Sequence, residues 1–195
     1  MADTKISAMT AAALPLTGVE LVPIVQGGVN KKTTVADIDA YNRAYGSWSD
    51  NTDQAGSTVA GVPMTYNTAD VTDGITLVSG SQITVPNTGV YDLQFSAQFQ
   101  NTDNAQHEVW IWARVNNVDV PNSATIITVP ARKNNNVYGY AVAAWNLFFS
   151  LNSGDYIELI WLKSNALVTM EHAPVSVSPA IPATPSVIVS VQQVS

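Results

Sequence analysis

Alternation of apolar and polar residues is the dominant pattern of this 195-residue chain. Between Tyr91 and Gln100, every odd position is apolar and every even position is polar. Successive side chains of a β-strand point to opposite faces, so this run predicts a strand with one buried face. Weaker forms of the same pattern predict further strands at residues 75–78, 82–85, 109–115, 125–129, 137–151, 156–163, 166–171 and 187–194.

Short turn sequences separate these runs. Asp73-Gly74, Asn116-Asn117 and residues 134–136 and 152–155 are rich in the residue types that tolerate left-handed backbone or cap a turn. Several short strands joined by such turns are typical of an all-β sandwich or jelly roll. We interpret the proline-rich residues 174–185 as an ordered loop before the last strand.

Residues 46–195 contain one predicted strand after another, whereas the N-terminal arm, residues 1–45, does not. This difference predicts two domains. Residues 20–25 form a short extended run, Gly27-Gly28 supplies a turn, and residues 32–35 can return as a second strand. A capping box after this hairpin predicts a brief helix. Because an isolated hairpin buries little surface, we expect the arm to need a partner surface.

Three of the predicted strands are apolar on both faces: residues 109–115, 137–151 and 156–163. A sandwich strand needs only one apolar face, since the other meets water. We expect the second face to seal a contact between copies of the chain. The alternative is that loops or the arm cover it in a monomer. The predicted contact residues are Trp110, Trp112, Tyr138, Tyr140, Phe148, Tyr156 and Ile160.

The charge content favours a protein that works within an assembly. Only 12% of the residues are charged, against ~25% in typical soluble domains. The net charge is −7, and the basic pairs Lys31-Lys32 and Arg132-Lys133 are too small for a nucleic-acid footprint. No run approaches the ~20 apolar residues that cross a bilayer. We therefore expect neither a nucleic-acid nor a membrane partner.

Residues that could carry chemistry are few. His107 and His172 each stand beside one glutamate, without a second ligand at metal spacing. The carboxylates of residues 70–73 fit turn chemistry better than a calcium cage. We expect no metal, no cofactor and no enzymatic activity. Trp110 and Trp112 could stack on a sugar, although packing in a core or an interface is favoured.

Three segments together resemble the C1q/tumour-necrosis-factor-like jelly roll. They are residues 89–96 (GVYDLQFS), 115–120 (VNNVDV) and 151–159 (LNSGDYIEL), in the order and spacing of that family. The resemblance covers about residues 46–195. It implies a ten-stranded β-sandwich whose first and last strands are adjacent, and a compact homotrimer.

The arm carries a second resemblance. Residues 4–7 (TKIS), 15–28 (PLTGVELVPIVQGG) and 32–38 (KTTVADI) are similar to a header of tailed-bacteriophage structural proteins. It implies a virion protein assembled in the bacterial cytoplasm, whose partners are itself and other capsid or tail proteins. The leading expectation is a capsid decoration, cement or head-fibre protein. The alternative is a tail fibre whose loops at 101–104 and 132–136 contact host surface glycan. Docking to the particle is expected through Leu21, Val22, Ile24, Val25, Val35 and Ile38.

Overall fold

A computed structural model describes residue 17, residues 19–35 and residues 44–195. The chain divides into two compact units, residues 1–43 and 44–195. The described strands pair antiparallel throughout, which confirms the predicted all-β class.

The arm contains the predicted hairpin. Strand β1 (Leu21–Gln26) pairs antiparallel with β2 (Val29–Thr34), which begins three residues before the predicted second strand. Gly27 and Gly28 both have positive φ, 62° and 74°, as a tight two-residue hairpin turn requires. The predicted helix falls mainly on residues 36–43, which lie outside the described residues.

Residues 44–195 form fifteen strands, most of them short. In chain order they are β3 (Tyr45–Asp50), β4 (Val62–Pro63), β5 (Thr68–Asp73), β6 (Thr76–Val78), β7 (Gln82–Thr84), β8 (Gly89–Asn101), β9 (His107–Val115), β10 (Val118–Asp119), β11 (Thr125–Val129), β12 (Gly139–Leu151), β13 (Tyr156–Lys163), β14 (Val168–Met170), β15 (Ser176–Val177), β16 (Ala180–Ile181) and β17 (Val187–Gln193).

These strands build two larger sheets. The six-stranded sheet has the order β12-β8-β17-β3-β5, and β14 pairs with β8 beyond the end of β17. The seven-stranded sheet has the order β10-β9-β13-β7-β6. In it, β11 follows β10 along one edge of β9, and β4 pairs with β13 beyond β7. The predicted ordered loop at 174–185 contains the small hairpin of β15 and β16.

One hydrophobic core takes side chains from both sheets, as in a β-sandwich. The apolar residues of β8 are at most 5% exposed from Tyr91 to Phe99, which confirms the predicted burial of one face. From the opposite sheet, Ile111, Leu159 and Trp161 are at most 1% exposed. The rings of Phe99 and Trp161 lie 5.6 Å apart across the core. Two sheets packed face to face over one core give a β-sandwich-like unit.

Strands β3 and β5 were not predicted from the alternation pattern. The sequence of β3, YGSWSD, mixes Tyr and Trp, which are enriched in strands, with Gly and Asp, which are depleted. It is held by pairing with β17, more than 130 residues away, from Tyr45↔Gln192 to Asp50↔Val187. Trp48 is 2% exposed, and its ring occupies the space that a side chain at Gly46 would need. Pairing with the distant strand β17 therefore contributes more to the formation of β3 than the local sequence does.

The Asp50 carboxylate, at the end of β3, joins three stretches of chain and is 2% exposed. Its Oδ1 accepts hydrogen bonds from the Thr52 backbone N–H and the Asn67 side-chain amide, each at 2.8 Å. Its Oδ2 accepts one from the Thr65 hydroxyl at 3.1 Å. This Asp50 network fixes the chain that leads into β5.

Candidate functional site

The outward face of β12 carries large apolar side chains. Along β12 the odd positions point inward and the even positions point outward. The outward residues Tyr140, Val142 and Phe148 are 59%, 62% and 62% exposed. We call these three residues the β12 stripe. Two of them, Tyr140 and Phe148, are predicted contact residues, and a third predicted residue, Tyr138, is half-buried just before the strand.

The sheet surface beside the β12 stripe is polar but nearly uncharged. Tyr140, Val142 and Phe148 lie opposite Gln100, Gln98 and Asp92 of β8. Of the outward residues of β12, β8 and β17, only Asp92 is formally charged, and it is 7% exposed. Aromatic residues surrounded by few charges are typical of the core of a protein interface.

The other sheet presents Trp110 and Trp112 on its outer face, both half-buried within their own chain. Trp110 lies between Ile126 of β11 and Leu162 of β13, and Trp112 lies opposite Ile160. Tyr156, also half-buried, pairs with Thr84 at the end of β13.

Ile160 does not have the exposed face that was predicted for it. It is 0% exposed in a single chain. It pairs with Pro63 of β4, and Gly61 packs so closely that an added Cβ would lie 2.7 Å from the Ile160 side chain and 2.3 Å from the Trp112 ring. Residues 61–63 therefore cover Ile160, which has no surface left for a second copy.

A groove lies beside the two tryptophans. Trp110 and Trp112 of β9 form its floor, with a volume of about 420 Å³ above them. Leu162 of β13, Asp119 of β10 and the residues Val120 and Ala124 between β10 and β11 complete its lining. We call this the tryptophan groove.

Polar groups stand at one end of the tryptophan groove. The Asp119 carboxylate is 56% exposed and accepts a hydrogen bond from Arg114 Nε at 2.7 Å. The Arg114 guanidinium, and after it the Trp112 N–H, hold the pKa of Asp119 below its usual value. The Trp112 nitrogen itself is closed to solvent.

The predicted glycan-contact loop at 101–104 begins with a residue that solvent does not reach. Asn101 is 0% exposed. Its side-chain amide donates to the Ala105 and Pro130 carbonyls at 2.8 and 3.0 Å, and its Oδ1 accepts from the Asp103 N–H at 2.8 Å. Asn101 therefore joins two loops internally and is removed from the candidate contact residues.

The predicted docking residues of the arm are divided between the two faces of its hairpin. Leu21 and Val25 are 58% and 70% exposed, whereas Val22, Ile24 and Val35 are half-buried. Ile38 lies outside the described residues.

The Asp103–His107 pair gives a test of pH-dependent stability. Asp103 Oδ2 lies 2.7 Å from His107 Nε2, and this hydrogen bond, followed by one from the Asn104 N–H, holds the pKa of Asp103 below its ordinary 3.8. A carboxyl group whose pKa is lower in the folded state than in the unfolded state stabilises the fold at pH values above the unfolded-state pKa. This stabilisation is lost as pH falls through the folded-state pKa. We expect the melting-temperature difference between wild type and Asp103→Asn to be largest near neutral pH and to shrink below about pH 4. A difference that stays constant down to about pH 2 would contradict this assignment.

Neither sequence comparison nor metal geometry adds a candidate. Among the described residues, no group of three or more His, Cys, Asp or Glu side chains could hold a metal ion. The described part of the chain also contains no helix with the length and apolar character to span a bilayer. The sequence matches no protein-family model and no curated protein. The candidate functional surfaces are therefore the outer faces of the two sheets and the arm.

Proposed function

We propose that this chain is a non-enzymatic structural protein of a bacteriophage particle. In this proposal residues 44–195 form a jelly roll that assembles as a homotrimer, and the arm docks on the particle. The role is capsid decoration, cementing of the capsid or a short head fibre. The observation that carries the proposal is the presence on one chain of two separate apolar surfaces, one on the arm and one on β12.

The strand order supports the jelly-roll reading. The first and last strands of the sandwich, β3 and β17, are neighbours, as the resemblance implies. The chain also crosses between the two sheets from β7 to β8, β8 to β9, β11 to β12 and β12 to β13. Repeated crossing between two packed antiparallel sheets is the connectivity of Greek-key sandwiches and jelly rolls.

The β12 stripe supports the homotrimer. Burying a large apolar side chain stabilises an assembly by ~1.5–3 kcal/mol, and the three stripe residues each leave about 60% of their surface exposed. We assign the contact between copies to this stripe rather than to Trp110, Trp112 and Tyr156, which their own chain already half covers. Closed cyclic symmetry limits such a contact to a defined number of copies.

The arm hairpin supports docking. Two strands alone are marginally stable in water, and Leu21 and Val25 expose more than half of their surface. A surface on the particle that covers these two residues would order the hairpin and hold the trimer.

Labelling of intact particles tests the location. Purified particles of the virus that encodes the chain, labelled with an antibody against residues 44–195, should carry hundreds of copies distributed over the head. A handful of copies at the tail would instead favour the alternative function.

Variants of the arm test the docking role. A chain lacking residues 1–43, and a Leu21→Asp/Val25→Asp double variant, should remain trimeric but fail to bind particles stripped of the protein, as measured by co-sedimentation. The control is Val59→Asp, a valine outside the arm that is 90% exposed, which should bind normally. Undiminished binding of both arm variants would refute the docking role.

A receptor-binding tail fibre is the second candidate. The tryptophan groove favours it, because aromatic rings beside hydrogen-bonding groups suit a surface that contacts host glycan. The copy number and position on the particle separate the two candidates.

A further inference from the structure

The lining of the tryptophan groove places aromatic rings beside a charged group. Its floor is two indoles, and one end holds the Asp119 carboxylate, which is 56% exposed. A carboxylate accepts hydrogen bonds and donates none, so it suits a ligand that carries donor groups. A ligand that fits this groove therefore offers an apolar face and hydrogen-bond donors.

We infer that the tryptophan groove is a carbohydrate site that binds one pyranose ring of a neutral glycan. The ring stacks its C–H face on Trp110. Its hydroxyl groups donate to Asp119. This inference rests on the glycan contact of the second candidate function, but it holds for a chain carried on either the head or the tail.

The chemistry of a neutral sugar fits each element of the groove. A pyranose has an apolar face for an indole and a rim of hydroxyls that both donate and accept. A carboxylate has about four lone-pair sites, and Arg114 occupies one on Asp119, so Asp119 can accept further hydrogen bonds. The groove volume of about 420 Å³ lies in the usual range for small-ligand sites.

Other occupants fit the groove less well. Asp119 repels phosphate and carboxylate groups, which disfavours anionic ligands and nucleic acid. A second copy of the chain finds a larger exposed apolar surface on the β12 stripe than on the half-buried tryptophans. A purely apolar ligand would offer the Asp119 carboxylate no hydrogen bond in place of the water that it displaces.

Binding of the full-length chain to defined sugars tests the inference. The probes are immobilised neutral di- to tetrasaccharides of glucose, galactose and N-acetylglucosamine, with tryptophan fluorescence as the solution measurement. Trp48 and Trp161 are at most 2% exposed, and Trp145 packs against Phe95, so a change caused by sugar reports mainly on Trp110 and Trp112. We expect at least one probe to be retained and to shield this fluorescence from acrylamide.

Variants locate the site. Trp110→Ala should weaken binding about tenfold through the loss of stacking, and Asp119→Asn should do so about tenfold through the loss of a charged acceptor. Tyr45→Ala and Asp70→Asn are matched controls on the other sheet and should bind like wild type. Circular dichroism establishes that each variant is folded.

Three results would overturn the inference: retention of no probe, full binding by both groove variants, or a change of oligomeric state in Trp110→Ala, which would make the groove a contact between copies. These readouts use isolated protein, so their failure leaves the particle-labelling result unaffected. Labelling that finds no copies on particles would remove the proposed function and leave a sugar site in the groove intact.

Discussion

Replacing Tyr140 and Phe148 together by aspartate should separate the trimer into single copies. Both side chains are about 60% exposed in one chain, and in the proposed assembly a second copy covers them. Two carboxylates in that contact would be desolvated without partners, which costs several kcal/mol for each ion. In sedimentation equilibrium at micromolar concentration, wild type should give three times the 20.8 kDa chain mass and the variant should give the mass of one chain.

Ile126→Asp is the matched control for this experiment. Ile126 is 58% exposed, like the β12 stripe, but it lies on the outer face of the other sheet. The control should sediment as wild type. A double variant that keeps the trimer mass would move the contact away from the β12 stripe. A wild-type chain that sediments as a 20.8 kDa monomer would remove the trimer from the proposed function altogether.

Asp50→Ala should destabilise the sandwich by about 3 kcal/mol, because it removes a buried charged acceptor from the Asp50 network. The Thr52 N–H and the side chains of Asn67 and Thr65 would lose their shared partner. In guanidinium unfolding at a fixed protein concentration, the midpoint should fall while the slope stays constant. The melting temperature should fall by on the order of 10 °C.

Asp70→Ala removes the same side chain nearby and serves as the control. The Asp70 carboxylate is exposed and accepts a 3.2 Å hydrogen bond from the Ser49 hydroxyl. Surface substitutions of this kind usually change stability by less than ~0.5 kcal/mol. Equal losses in the two variants would mean that burial of Asp50 does not set the effect.

Local patterns in the sequence predict much of this fold. The strict alternation from Tyr91 to Gln100 places β8 and identifies its buried face. Gly27-Gly28 and Asn116-Asn117 each adopt positive φ at two successive residues, so turn chemistry correctly locates the hairpins β1–β2 and β9–β10. These features depend on residues close together in sequence, which is why a single sequence reveals them.

The remaining features depend on contacts between distant residues. Strand β3 exists because β17 pairs with it, and Ile160 is buried because β4 and Gly61 lie over it. An apolar pattern on both faces, as in residues 156–163, can come from a covering segment or from a surface left for a partner, and sequence alone does not separate these two causes. The tryptophan groove likewise needs Asp119 and Val120 to be brought beside β9 by a hairpin turn. Its one local signal was the spacing of Trp110 and Trp112.

Strand β12 leaves one edge of its sheet open in a single copy of the chain. It ends the six-stranded sheet, and no strand of residues 44–195 pairs with its other side. Its thirteen residues include no proline and no charged side chain, the devices by which natural proteins guard such edges against amyloid-like strand addition. A single copy of the chain therefore exposes an edge open to self-templated aggregation, and we expect the yield of folded protein to depend on how fast that edge is covered.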